Sequence, residues 1–521
     1  MNNSGAGCTE PARFSFGVAM LACAMFGMGL LEGCRRDHPP APTFAALFPP
    51  ASGELMTSSS PSVADLDGDG VPDIVFGSGM DRTRPIGRHM QFIGEPAVSG
   101  EVIAVSGASN RILWKVPNPR DAFTTPRFAK LNRDSVVDVV MGGREGVLTA
   151  FDGPTGKVLW RLLGEDVVKT PFPYYFLTPA IIDDVNGDGV SDLIDTYGGN
   201  DTRMPKEPRD AGYVMVISGA DGKVFSTHAV PDGAETYASP VVYRRRDGQA
   251  WVIFGTGGES LGGAEFRAPV ASLLDDTFSK RVERLVPAGE KGVIAPPTLL
   301  DLNGDGELDI VVSTFDGRLI AVDGATARPL WQHDDPHEES YHQPAVVRLG
   351  GTGNPLGLFV SRGIGAFPKY VGTVHRLYAA IDGRVLYEYR DPNYPGGAPL
   401  AVDLTGDGVD EPMFFTIRFP AAPGARIHIL HLPSRTLVTH DVTATLWSTP
   451  LIADVRGTGK LELIALAWLV GTGGTPMHPD ATWQLLRLDL SAKTPPIRSW
   501  AGYMGTSTDG QYHATLPTMH Q

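Results

Sequence analysis

Apolar residues in this chain come in short runs, each bounded by glycine, proline or aspartate. DIVFGS (73–78), VDVVMGG (137–143), DLIDTYGG (192–199), WVIFGT (251–256) and DIVVST (309–314) are such runs. Val/Ile-rich runs of this length between turn residues predict β-strands. No segment past residue 40 sustains a 3.6-residue apolar period, and Gly or Pro interrupts almost every 15-residue window, so helices are not expected there. The runs belong to a repeat. Eight copies begin at Asp65, Lys130, Asp184, Tyr243, Asp301, Arg348, Asp403 and Asp454, at spacings of 47 to 65 residues. Each copy has a short strand, often preceded by Thr-Pro or Ser-Pro (SSPSVAD, LTPAIID, ASPVVY, STPLIAD). A Gly/Asp loop and the apolar strand follow. After a variable loop come a third strand and turn (GEVIAVSGAS, GVLTAFDGPTG, GRLIAVDGATA) and a fourth strand, several of which carry Trp114, Trp160, Trp331 or Tyr387.

Four short strands per ~50 residues make one blade of a β-propeller. A lone four-stranded sheet cannot bury both faces, whereas a closed ring of stacked sheets does so and leaves only short edges. The expected fold is therefore all-β: a propeller of four-stranded antiparallel blades, eight in number, with seven as the alternative. Residues 53–521 form one such domain on this reading.

Composition sharpens the picture. Gly (62) and Pro (43) are abundant, as tight turns require, and the net charge of −15 disfavours a nucleic-acid partner. All three cysteines (8, 23 and 34) precede residue 35, so the rest of the chain has no disulfide, thiolate metal site or cysteine nucleophile. Arg13 followed by the uncharged, mostly apolar FSFGVAMLACAMFGMGLL (14–31) reads as an export signal within residues 1–34. Its end, LEGC, resembles the lipobox of bacterial lipoproteins, with Cys34 as the lipidated residue and Glu32 as a departure. A cleaved secretion signal and an uncleaved anchor are the alternatives. Each places the body outside the cytoplasm: in the cell envelope as an outer-membrane lipoprotein held to the membrane by its lipid anchor, or secreted. Residues 35–52, which include HPPAPTFAALFPP, read as a semi-rigid tether.

The Gly/Asp loops carry candidate chemistry. In DLDGDGVPD the side-chain oxygens fall at positions 1, 3, 5 and 9 (Asp65, Asp67, Asp69, Asp73), and the carbonyl of Val71 can complete a shell. Hard oxygen ligands in this order suit Ca²⁺. The opening resembles an EF-hand loop, but Phe76 holds position 12 and both flanks are strands. Three more copies keep the pattern: Asp184, Asn186, Asp188, Val190 and Asp192; Asp301, Asn303, Asp305, Glu307 and Asp309; Asp403, Thr405, Asp407, Val409 and Glu411. About four structural Ca²⁺ sites are expected. The other four loops are expected to be without metal. Lys130 opens the second, which keeps Asn132, Asp134 and Asp138. Arg245 interrupts the fourth, the sixth reads RLGGTGNPL, and Arg456 and Lys460 stand between Asp454 and Glu462 in the eighth. A built-in cation can replace a metal there.

The repeat DLDGDGxxDIVVG resembles the FG-GAP repeat, also described as integrin α-like or VCBS-type, over roughly residues 60–490. That resemblance implies a β-propeller with Ca²⁺ in loops on one face. Eight-bladed rings with similar loops are known among rhamnogalacturonan lyases. The third and fourth strands (LTAFDGPTGKVLW, LIAVDGATARPLW) also look like the quinoprotein propeller repeat. The calcium loops share a face with the 3–4 turns, so the long, irregular 2–3 and 4–1 loops occupy the opposite face, where a rigid scaffold would display functional residues. Those loops hold Arg82, Arg84, Arg88, Arg203, His89, His333, His337, His342, His478, Tyr174, Tyr175, Tyr341, Tyr370 and Trp483. Tyr174, Tyr175, Arg203, His333, His337, Tyr341 and His342 are the candidate ligand-face residues. The stretch HDDPHEESYH matches no standard metal-site spacing.

The fold hosts many functions and does not name one. The first expectation is a non-enzymatic cell-surface binding or adhesion module, monomeric, for an extracellular glycan or protein. The second is a carbohydrate-active enzyme such as a polysaccharide lyase, for which no base–cation pair stands out. A quinoprotein dehydrogenase is the third, and its family's adjacent cysteine pair has no counterpart here. No G-x-S-x-G elbow, H-E-x-x-H helix, P-loop or C-x-x-C-H site occurs.

Overall fold

The computed structural model describes residues 45–46, 51–53, 58–79, 83–86, 89–92 and 100–513, apart from 171–172, 201–202, 204, 354, 419–423, 471–480 and 494–498. The export signal, Cys34, Arg82, Arg88 and His478 lie outside the described residues. Ala41–Gln521 make up one compact unit.

Alternating residues on each apolar run face opposite neighbours, which is why the runs are continuous rather than period-two. In blade 2, Val139 packs toward blade 1 with Val75, Val102 and Trp114, while Val140 packs toward blade 3 with Leu193 and Met215. The result is an eight-bladed propeller. Blade 2 shows the unit: Arg127–Ala129, Asp138–Met141, Val147–Phe151 and Val158–Leu163, antiparallel in chain order. The first strands of the other blades are Ser62–Ala64, Ala180–Ile182, Val241–Arg244, Thr298–Leu300, Ala345–Arg348, Leu400–Val402 and Leu451–Ala453. The fourth and sixth repeats, whose loops depart most from the pattern, form full blades. Helix is confined among the described residues to single turns such as Gly164–Val167 and Phe278–Arg281, and none is long and apolar enough to cross a membrane.

Blade 8 is completed from the other end of the chain. Ala45–Ala46 and Ala51–Gly53 pair antiparallel with its third strand, Ala481–Lys493. Part of the segment read as a tether thus supplies the outermost strand and closes the ring. The other end also closes it. Residues 499–513 run along the first strands: Trp500 exchanges both backbone hydrogen bonds with Ala401 (2.8 and 2.9 Å), and Ile452 N–H donates to Ala501 (2.8 Å). Leu299 N–H donates to the Gly510 carbonyl, and the Leu299 carbonyl accepts from Tyr512 N–H (both 2.8 Å). Arg127 donates to Ser507 (3.1 Å), and the Tyr503 hydroxyl meets that of Ser239 (3.1 Å). This segment plugs the space between the first strands of blades 2, 4, 5, 7 and 8.

Two recurring residues of the sequence find their reasons at the seams. The fourth-strand tryptophans donate their indole N–H to the next blade's 3–4 turn: Trp114 to Gly153 (2.8 Å), Trp160 to Gly219 (2.6 Å), Trp331 to Ala380 (2.9 Å). Their rings lie over glycines with positive φ. A Cβ at Gly156 or Gly222 would come within 2.6 Å of the indole. The Ser or Thr before proline links blades as well. Thr178 accepts from Thr125 N–H (3.2 Å), Ser239 from Thr178 (3.3 Å), Thr449 from Ala398 (3.1 Å) and Ser60 from Thr449 (3.0 Å). Blade 5 has Pro296 at this place, which has no N–H to give. The neighbouring Gln343 amide is 1 % exposed and has no hydrogen-bond partner among the described residues.

Candidate metal loops and ligand face

Each Gly/Asp loop connects the first and second strands. In the first, Asp65 accepts from Gly68 (2.8 Å) and Gly70 (3.0 Å), Asp67 from Asp69 (3.1 Å) and Asp69 from Val71 (2.8 Å). Asp65, Asp67 and Asp73 bring ligand oxygens within 4.8 Å of one another. The loops at Asp184, Asp301 and Asp403 repeat the turn bonds.

Position 9 has a second role. Asp73 is fully buried, and its two oxygens accept from Leu66 N–H (2.9 Å) and from Gly107 N–H of the 3–4 turn (3.1 Å). Asp138, Asp192 and Asp309 make the same pair of bonds. Asp138 does so in a loop opened by Lys130, so the fold itself needs this acid, and its recurrence is not by itself a metal signature. Burial raises the pKa of all four. Glu411, one methylene longer, is pushed up to about 8 by burial, with Asp407 and Asp403 adding to the shift. In the second loop Asp134 and Asp138 meet Asp152 of the 3–4 turn within 4.8 Å, a residue outside the loop's own motif. The Asn132 amide donates to both Asp138 (3.1 Å) and Asp152 (3.0 Å).

The cations of the other loops point in two directions. In blade 8, Arg456 and Arg487 grip Glu462 at position 9, as a built-in substitute would. In blades 4 and 6 they reach the next blade instead. Arg245 pairs with Glu307 (3.0 Å) and Arg246 donates to the Asp305 carbonyl (2.8 Å), while Arg348 pairs with Asp410 (2.6 Å). Acid-rich and cation-bearing loops alternate around the ring.

The opposite face gathers rings and charges in its 2–3 and 4–1 loops, together termed the mouth. Phe123, Tyr175 and Tyr237 meet edge to face (5.8 and 5.7 Å). The Arg144 guanidinium lies 4.5 Å over Phe123 and pairs with Asp121. Further round, Glu339 accepts from Lys291, from the Tyr370 hydroxyl (2.8 Å) and from Phe367 N–H (2.8 Å). Tyr341 donates to Glu259 (2.6 Å) and packs on Phe315 (4.7 Å). The phenols of Tyr341 and Tyr370 are raised by burial and by these neighbouring acids.

Of the candidate ligand-face residues, Tyr175 and Tyr341 sit in this mouth, and Tyr370 joins them. Tyr174 points into the core, 1 % exposed, with its hydroxyl on Asp210 (2.8 Å). Arg203 is exposed. His333 lies on the outer strand Pro329–Asp334, 5.1 Å from the Tyr378 ring. His337 is exposed, while His342 is enclosed, its pKa lowered to about 4 by burial. Trp483 is buried against Phe76. Among the described residues no metal-ligand group includes these histidines. The acids between them are taken by arginines, Glu338 by Arg376 (2.6 Å) and Asp335 by Arg376 and Arg362. The mouth residues Phe123, Arg144, Tyr237 and Glu259 were not read from sequence. Tyr237 had a signal, standing three places before the proline of ASPVVY, as Tyr341 does before Pro344.

Comparison with known proteins agrees with the architecture. Residues 92–279 match the family described as the FAM234A/B beta-propeller. The chain is 26% identical over 385 residues to Protein FAM234A of Bos taurus, covering 68% of this chain and 62% of that protein. It is 24% identical over 204 residues to Protein FAM234B of Gallus gallus, covering 37% of this chain and 29% of that one. The chain thus spans less than two thirds of the length of these curated relatives. Among solved structures it resembles a europium-containing methanol dehydrogenase (11% identity, TM-score 0.57, 86% of this chain and 93% of that one). It also resembles the quinohemoprotein alcohol dehydrogenase of Comamonas testosteroni (12% identity, TM-score 0.52, 88% and 76%). At these identities the likeness is one of fold.

Proposed function

We propose that this chain is a FAM234-like, calcium-stabilised extracytoplasmic propeller that binds a glycan or protein ligand through the 2–3 and 4–1 loops. The observation that carries the reading is the mouth on that face. Loops of blades 1 to 6 there bring together aromatic rings and carboxylates, while the other face is occupied by turn-closing hydrogen bonds. Binding sites of this kind combine apolar rings with a few fixed polar groups. The exported location rests on the apolar run 14–31 and the LEGC stretch that ends at Cys34.

Calcium fits the donor set of the odd-numbered loops. Asp67 and Asp69 are exposed and Asp65 is half-buried, and oxygens of Asp65, Asp67 and Asp73 lie within 4.8 Å of one another. Asp65, Asp67, Asp69, Asp73 and the Val71 carbonyl would hold the ion in the first loop, and their counterparts would do so in the loops opened by Asp184, Asp301 and Asp403. The bound ion would cancel the carboxylates' mutual repulsion and stiffen the hairpin.

A lyase reading needs a base, and the tyrosines at the mouth are poor ones because burial and adjacent acids raise their phenols. A glycan array run beside an acidic-polysaccharide degradation assay tests the proposal. Saturable capture without cleavage, lost on Tyr237→Ala with the melting temperature kept, is the expected result. Cleavage products, or capture unchanged by substitutions on this face, would sink it.

A further inference from the structure

The mouth holds three sets of acid and ring, and two of them contain a cation of their own. Asp121 and Phe123 hold Arg144. Glu339 and Phe315 hold Lys291, whose ammonium lies 5.2 Å over the ring. The third set is Glu259 with the ring of Tyr341, whose hydroxyl donates to it, and Phe367 stands edge to face against that ring with centroids 6.2 Å apart. Its acid has the Tyr341 hydroxyl as partner and, among the described residues, no cation at ion-pair distance. Nearby Glu235 is matched by Arg209 (3.1 Å) and Asp316 by Arg318 (2.9 Å). The Glu259 side chain is open to solvent although protein walls surround it, and this enclosure raises its pKa even with Lys291 and Arg209 in range.

We propose that Glu259, Tyr341 and Phe367 receive the guanidinium or ammonium of an arginine or lysine side chain of a partner protein, an assignment that rests on the binding face proposed above. A cation between a carboxylate and aromatic faces is stabilised by charge and by the ring quadrupole, as the two internal sets already show. Phe367 is 41% exposed and Val371, four residues on in the same loop, 75%, which adds the apolar contact typical of a protein interface rather than of a free ammonium ion. The net charge of −15 favours a basic partner.

The experiment uses the full chain and three capped tripeptides, Ac-Gly-Arg-Gly-NH₂, Ac-Gly-Lys-Gly-NH₂ and Ac-Gly-Gln-Gly-NH₂, titrated by saturation-transfer NMR at low salt. The basic peptides are expected to bind saturably and at least tenfold more tightly than the glutamine peptide. Glu259→Gln should abolish that preference without moving the melting temperature, and added salt should weaken binding. Equal binding of all three peptides, or an unchanged preference in Glu259→Gln, overturns the assignment. If the preference survives Glu259→Gln but disappears in Phe123→Ala, the binding face stands and Glu259 is wrong. Glycan capture on this face without any arginine preference overturns the ligand class alone. Peptide binding indifferent to both substitutions overturns the face as well.

Discussion

Glu265 opens the third strand of blade 4, is fully buried, and neither of its oxygens has a hydrogen-bond partner among the described residues. Burial alone raises its pKa well above the ordinary 4.5, so the fold favours its protonated form. A carboxyl of this kind retains its proton in the fold after the unfolded chain has lost it. Its unfavourable contribution is absent below the unfolded value and grows as pH rises toward the folded value, at about 1.4 kcal/mol per pH unit. Glu265→Gln removes the titration. Thermal melts across a pH series should show the variant more stable than the wild type at about pH 7 and level with it at about pH 4. An offset independent of pH would assign the effect to packing. Asp195 in blade 3 is a second buried acid with the same direction of shift.

At the scale of the element, the 1–2 hairpin combines two functions that one motif conceals. Positions 1, 3 and 5 shape the loop through its turn hydrogen bonds, while position 9 ties it to the 3–4 turn. The two are separable by substitution. Asp73→Ala leaves the N–H groups of Leu66 and Gly107 without their acceptor, at about 1–3 kcal/mol for each buried group. Its melting temperature should fall in EGTA as well as in calcium, where the loss of a ligand adds to the drop. Asp69→Ala should behave as wild type in EGTA and lose only part of the calcium-dependent rise. At the millimolar affinity usual for extracellular modules, that part is about 1 kcal/mol. Calorimetry of both variants in both buffers decides. Identical curves for the wild type with and without calcium would mean that these loops are turns and nothing more.

For the whole molecule, the ring is closed twice: by N-terminal strands on the rim of blade 8 and by residues 499–513 along the first strands. The second closure buries Trp500 (1 %) and Met504 (2 %), each side chain contributing about 1.5–3 kcal/mol. It also supplies backbone partners to Leu299, Ala401 and Ile452. Deleting residues 499–521 should therefore lower the melting temperature well beyond the effect of any single loop variant, and Trp500→Ala should give part of that loss. A truncated chain that melts with the full-length protein would show that the plug follows the ring rather than supporting it. The alternation of acid-rich and cation-bearing loops belongs to this scale too, since Arg246 and Arg348 act on the blade that follows their own.

The blades, their number and the places of the Gly/Asp loops were legible in the sequence. Strand runs and turn residues act over a few positions, and eight copies repeat the same local signal. The candidate face was legible as well, because strand order alone assigns the 1–2 and 3–4 turns to one side and the 2–3 and 4–1 loops to the other. Tertiary structure decided what depends on direction and distance. Tyr174 and Tyr175 are adjacent, yet one enters the core and the other the mouth, because successive side chains of an extended segment point to opposite sides. The ninth-position acid looked like a ligand and proved also to be a clamp, because its second partner, Gly107, lies 34 residues away. Arg127 meets Ser507 across 380 residues, and contacts so distant leave no periodic trace in either stretch. The plug, the closure of blade 8 and the acid without a cation at Glu259 are all of this kind: each arises where chain segments meet that no local pattern connects.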